Sequence, residues 1–213
     1  VNPRRPAPVW GRHLTGHYLP MLILAALARI IPDRVIAESG SPLWNVYFTG
    51  EHAGRRYVRM FFMNGGQGAS AAHDGPNCLS FPSNVATQPV EMFESTAPLL
   101  ITEKALIPGS GGAGRTRGGL GQRIGFRALG PEPVTATYRH ERVRHPPRGI
   151  LGGEPGRGGR DLLNGEPVPS KARLTLRPGD TLTFETPGGG GFGPSSERDP
   201  ESITRDCDEG YLA

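Results

Sequence analysis

Apolar residues along this chain fall into short, clean runs parted by clusters of glycine and proline. The longest run, Met21 to Ile31 (MLILAALARII), sits inside a helical reading from Thr15 to Ile31. Pro20 restricts the start of that helix and Pro32 ends it, because proline has no amide proton and its ring crowds the preceding turn. Trp44 to Thr49 (WNVYFT) and Arg56 to Met63 (RYVRMFFM) read as strands, with Gly50 to Gly54 as their hairpin connection. Val90 to Phe93 and Leu99 to Ile107 are apolar-rich and read as a second pair of strands. Arg123 to Ala128 and Val134 to Tyr138 follow, split by Gly130-Pro131. Ala172 to Leu176 and Thr181 to Glu185 flank Arg177-Pro178-Gly179-Asp180, the clearest hairpin signal in the chain. Asp199 as N-cap and Pro200 at the first helical position start a short helix. Residues 1–13 are extended and broken by proline, and residues 69–89 are polar and irregular. The pattern predicts an α+β fold, rich in β structure, with long Gly/Pro-rich loops, one N-terminal helix and a short C-terminal helix.

Composition sharpens this. The 32 glycines and 22 prolines make up about a quarter of 213 residues, near the level that signals disorder. The clean apolar runs between them argue for an ordered, loop-rich chain instead. Net charge is +4, and Lys104 and Lys171 are the only lysines, so nearly all the cations are arginines. Arginine's planar fork suits carboxylate and phosphate, although biased base composition of a gene gives the same excess. The 20 acidic residues are interleaved with the basic ones, which argues against a nucleic-acid stripe. Cys78 and Cys207 have no metal or redox spacing, as expected of a reducing, cytoplasmic compartment. The Met21–Ile31 run is too short for a bilayer and contains Arg29, so no membrane partner is expected.

Chemistry concentrates in a few places. Pro108 to Gln122 (PGSGGAGRTRGGLGQ) packs seven glycines around Arg115 and Arg117. Gly109, Gly111 and Gly114 match G-x-G-x-x-G, as do Gly188, Gly190 and Gly193, but neither match opens a helix, so no nucleotide site is expected in this chain. Asp74, in His73-Asp74-Gly75, reads as a turn residue, or else as a base or orienting carboxylate. His140, Glu141, Arg142, Arg144 and His145 follow a strand. Neighbours on a strand face opposite ways, so His140 and Glu141 do not converge, and Glu141 is expected to pair with an arginine. No metal-ligand spacing and no nucleophile elbow is present.

Four blocks in order resemble the C-terminal part of the hydantoinase B/5-oxoprolinase family. They are Gly65-Gly66-Gln67-Gly68-Ala69 with Asp74-Gly75, Phe81-Pro82-Ser83-Asn84 and Gln88-Pro89-Val90-Glu91; then Ser110 to Gly119; then Glu141-Arg142 with Pro146 to Gly153; then Pro178-Gly179-Asp180 with Thr186 to Gly193 and Arg198-Asp199-Pro200. The resemblance implies a B-type subunit, or the matching half of a fused chain, beside an A-type subunit that binds ATP. It implies opening of a small cyclic amide through a phosphorylated intermediate. By the same resemblance, residues 1–213 correspond to the C-terminal region, and the family's His/Asp segment with its divalent metal belongs to an N-terminal portion that this sequence lacks. Asp74, Glu91, Glu141 and Arg142 match family blocks as catalytic candidates. Asn84, Arg115 and Arg117 match as groups that hold substrate or intermediate, with loop pinning as the alternative for the two arginines. A subunit of a related ATP-dependent ketone carboxylase and a non-catalytic scaffold module are the other readings. Exposed apolar surface is expected where further polypeptide sits.

Overall fold

The computed structural model describes residues 4–6, 11–79 and 81–212; the remainder of the proline-broken opening lies outside the described residues. Among the described residues nine strands form two antiparallel sheets. The first has the order β2(Arg55–Met63), β1(Trp44–His52), β5(Val134–Arg139), β8(Lys171–Leu176). The second runs β3(Leu99–Leu106), β4(Gln122–Ala128), β9(Thr181–Glu185), β6(Arg160–Leu163), β7(Glu166–Pro167). Three α-helices accompany them: α1(Arg12–Leu27), α2(Val90–Glu94) and α3(Pro200–Asp208). The fold is α+β and β-rich, as the sequence pattern predicts.

The alternation of each strand puts one face inward. Trp44, Val46 and Phe48 of β1 are buried, and Ile124 and Phe126 of β4 meet them from the other sheet. Phe126 lies with its ring centroid 5.0 Å from Phe48 and 5.1 Å from Phe61, in tilted and edge-on contacts that suit aromatic quadrupoles. The two sheets thus form a sandwich with an aromatic centre.

Several expectations change. The Arg177–Asp180 turn reverses the chain but joins no hairpin: β8 pairs with β5 in one sheet, and β9 pairs with β4 and β6 in the other. Its amides close on the end of β4 instead, with Gly179 N–H donating to Ala128 O and Ala128 N–H to Asp180 O. A hairpin at Asn164-Gly165 joins β6 and β7, both residues at positive φ (52° and 87°), as an Asn-Gly turn of this kind requires. Val90–Glu94 is a helix, not a strand, and β3 pairs with β4. The N-terminal helix starts at Arg12 and accommodates Pro20 within it. At the other end, Asp199 accepts a hydrogen bond from Ser202 N–H as N-cap, with Pro200 next.

Beside the sandwich the glycine-rich segments stack on one another as a layer. Pro187 to Phe192 runs through its middle. Gly66 donates to Pro187 O, Gly189 to Gly119 O, Gly190 to Glu38 O and Gly191 to Glu154 O. Glycine is needed here for space rather than for φ. A Cβ on Gly66 would lie 1.8 Å from Gly119 O, and one on Gly189 2.0 Å from Gln67 O. The end of α1 packs on this layer through Ala28 and Phe192. Its outward face carries Leu19, Leu22 and Ile23, each at least half exposed.

Candidate functional site

Two clefts gather most of the candidate side chains. The first, of ≈ 640 Å³, lies between Ala71–Asn77, Arg115–Arg117 and α3. Asp74 accepts from the Arg117 backbone amide at 2.6 Å and binds both terminal nitrogens of Arg198, at 2.8 and 2.9 Å. Arg198 also reaches buried Asp206 at 2.6 Å, and Asp206 takes Arg117 Nε at 3.2 Å. Burial alone would raise the Asp74 carboxyl, but the hydrogen bonds and charges of Arg198 and Arg117 outweigh it and hold the group below the usual range. That suits an orienting carboxylate; a base working near neutrality needs the opposite shift. Arg117 is buried and committed: it bonds Asp206 and Gly118 O and lies 5.1 Å from the Tyr211 ring centroid. Arg115 is freer, with side-chain exposure of 42%, a long ion pair to Glu197 at 3.8 Å and Phe192 beneath it. Four arginines face five carboxylates around this cleft, so its charge is nearly balanced.

The second cleft, of ≈ 610 Å³, lies between Tyr18 of α1, the segment His140–His145 and Val168–Lys171. Through Tyr18, Arg142 and His145 it continues into a smaller one of ≈ 310 Å³ walled by Met21 and Leu22. Arg142 is buried, at φ 63°, a strained backbone for a non-glycine residue. Its Nε donates to Ser41 O at 3.0 Å, its Nη1 to Glu38 Oε2 at 2.8 Å, and its plane sits over the Tyr18 ring at 4.8 Å. Glu38 is buried too and accepts three further N–H bonds from Arg148. Glu141 pairs with Lys171 at 2.8 Å, not with an arginine, because β5 and β8 are neighbours and bring Lys171 beside it. His140 forms the floor. Its Nδ1 meets Asp161 Oδ1 at 2.9 Å and its Nε2 meets Asn45 O at 3.2 Å, while Trp44 stacks on it at 4.0 Å. Both ring nitrogens are taken up by oxygens of the protein, so neither is directed at a ligand in the cleft. Among the described residues no three metal-ligating side chains converge.

The model of the hydantoinase B/oxoprolinase family matches residues 1–195. The chain belongs to this family. A chain of Pseudomonas sp. (strain NS671) that is named as the B component of a D-/L-hydantoinase is 30% identical over 99% of this chain and 36% of its own length. The beta chain of the caprolactamase of Pseudomonas jessenii is 30% identical over 100% of this chain and 39% of its own. A solved nucleotide-free acetone carboxylase superposes with a TM-score of 0.72 at 18% identity, over 92% of this chain and 32% of that one, which is a likeness of fold. The chain thus spans little more than a third of these curated relatives.

Within this hydantoinase B/oxoprolinase chain the seven candidates divide. Asp74, Arg115 and Arg117 share the first cleft, and Glu141 and Arg142 the second. Asn84 is exposed at φ 53°, and Glu91 is exposed in the first turn of α2, both away from the two clefts. Sequence reasoning missed Glu38, Asp206, Arg198 and the buried His140–Asp161 pair. It also missed Glu185, a buried carboxylate held by Arg123, Arg157 and Arg160 at 2.8–2.9 Å. Most of their partners lie far off in sequence, Glu38 and Arg142 being 104 residues apart, and Arg198 and Asp206, only 8 apart, meet across the start of α3 in no recognisable spacing.

Proposed function

We propose that this chain is the C-terminal region of a B-type subunit of an ATP-dependent cyclic-amide hydrolase, working in the cytoplasm beside an A-type subunit that binds ATP. Membership of the family, together with relatives named for hydantoin and caprolactam, carries this reading. A lactam carbonyl is a poor electrophile because its nitrogen donates into it. Phosphoryl transfer from ATP to the carbonyl oxygen makes the carbon electrophilic; water adds there, the C–N bond breaks as the nitrogen takes a proton and leaves as an amine, and hydrolysis of the resulting acyl phosphate releases phosphate and the carboxylate. This chain's part is to hold charge where it develops. Arg115 in the first cleft and Arg142 in the second are the cations that contact substrate or intermediate, with Glu141 beside Arg142. Asp74 and Arg117 are positioning groups that fix the Arg115 loop on α3, and Asn84 and Glu91 serve surfaces shared with other polypeptide.

The test is reconstitution with an A-type subunit and the remaining B-type polypeptide. Opening of hydantoin, 5-oxoproline or caprolactam should require ATP and this chain together. Arg115→Lys, which keeps charge but loses the fork, should lower kcat by about tenfold. Turnover only with a ketone and bicarbonate would replace this reading by the carboxylase one, which the shared fold supports.

A further inference from the structure

We infer that the cleft between α1 and the segment His140–Arg148 binds a small aliphatic carboxylate. The inference rests on the proposed reaction for its biological ligand: hydrolysis adds water's oxygen to a neutral carbonyl carbon and breaks the C–N bond, the nitrogen takes a proton and stays at the far end of the opened chain, and a carboxylate is left where the amide was.

The charge of the cleft points this way. Arg142, Arg144, Arg148 and Lys171 line its two connected parts, against Glu38 and Glu141. That is an excess of cations, where the cleft at Arg115 is nearly balanced. Spare donors are present as well. Arg142 spends Nε and Nη1 on Ser41 and Glu38, while Nη2 makes no hydrogen bond among the described residues. Arg144 and His145 are exposed and have no ion pair or hydrogen-bonded side-chain partner among the described residues. Glu38 and the Tyr18 ring fix the Arg142 guanidinium from two sides, so its free edge is already oriented before any ligand arrives. The walls suit the rest of such a molecule: Met21 and Leu22 of α1 on one side, Val168 and Pro169 on the other. A carboxylate with a short hydrocarbon tail matches both the cations and the apolar walls, whereas a bare inorganic anion leaves the walls unused.

Titration of the 213-residue chain with hexanoate, hexanamide and inorganic phosphate, followed by amide shifts and calorimetry, tests the site directly. Hexanoate should saturate and move the amides of Arg142–His145 and Ser170–Lys171. Hexanamide, its neutral counterpart, should bind at least about tenfold more weakly, and Arg144→Gln should weaken hexanoate by about tenfold. His145→Gln should weaken it less, and Arg55→Gln, on the exposed turn of β1 and β2, should leave it unchanged. Both cleft variants change exposed side chains, so loss of fold does not confound them. Equal binding of amide and carboxylate, indifference to both variants, tighter binding of phosphate, or shifts confined to Ala71–Asn77 would each overturn the inference. Hexanoate binding without ATP-dependent ring opening in the reconstituted complex keeps the site and removes the reaction. Ring opening without such binding does the reverse.

Discussion

The sandwich and the glycine layer are built on opposite plans. In the sandwich each strand satisfies its amides against its neighbours, and the two sheets cohere through the aromatic interior around Phe126. In the layer the side chains are nearly absent. Loops approach until a carbonyl oxygen touches an α-carbon, and amide bonds run between segments far apart in sequence, as from Gly66 to Pro187. What the layer lacks in side chains it recovers at its rim. Glu38, Asp206 and Glu185 each draw two or three arginines from different segments onto one buried carboxylate. Only 36% of the residues are hydrophobic, and one of the two regions does not depend on apolar side chains.

The largest effect that could break this comparison comes from one methyl group in the layer. Gly66→Ala places a carbon 1.8 Å from Gly119 O, with only backbone around it to yield. Loss exceeding about 4 kcal/mol in urea unfolding, or no folded protein at all, is expected. A variant within about 1 kcal/mol of the parent would mean that the layer is not close-packed. Phe126→Ala removes far more atoms from the sandwich but leaves a cavity rather than a clash. It should cost about 3–5 kcal/mol by the same measurement, with the protein still folding.

Acid separates the two regions next. Burial would raise Glu38, Asp74 and Glu185, but their arginine hydrogen bonds and charges win, and all three sit below their usual values. A carboxyl lowered in the folded state contributes stability above its unfolded pKa and loses it as pH falls through the folded value. Stability should hold from pH 7 down to about 4 and decline below that. Amide exchange at Gly189–Gly191 should accelerate there before exchange in β4; simultaneous loss would argue that the rim does not hold the layer. The smallest effect is Gly165→Ala. Space is open around that residue, but its φ of 87° strains any side chain, so about 1 kcal/mol is expected. The same substitution thus differs several-fold in cost for two separate physical reasons.

The sandwich strands were largely legible in the sequence, because period-two burial needs only neighbouring residues. Trp44–Met63 and the Asp199 cap read directly. The Arg177–Asp180 turn misled because turn chemistry reports a local reversal and not which sheet each arm joins. The Asn164-Gly165 hairpin was not legible, because its arms, Arg160–Leu163 and Glu166–Pro167, are too short to read as strands. In the candidate site, Asp74, Arg115, Glu141 and Arg142 were visible as polar residues in marked loops. Their partners were not: Asp206, Glu38 and Lys171 are set beside them by the fold, and whether an arginine is free or committed depends on those partners.

The central place of Pro187–Phe192 has a consequence for how the chain is made. On the ribosome, Glu38, Gly66, Gly119 and Glu154 all emerge before the segment that accepts or donates their amide bonds. Until it arrives, those backbone groups remain bonded to water, although every strand of both sheets has already been made, β9 ending at Glu185. The layer can close only by late insertion of one extended stretch among loops already waiting. A ribosome that stalls before residue 187 would release a chain with the strands of both sheets present and the middle of the glycine layer missing.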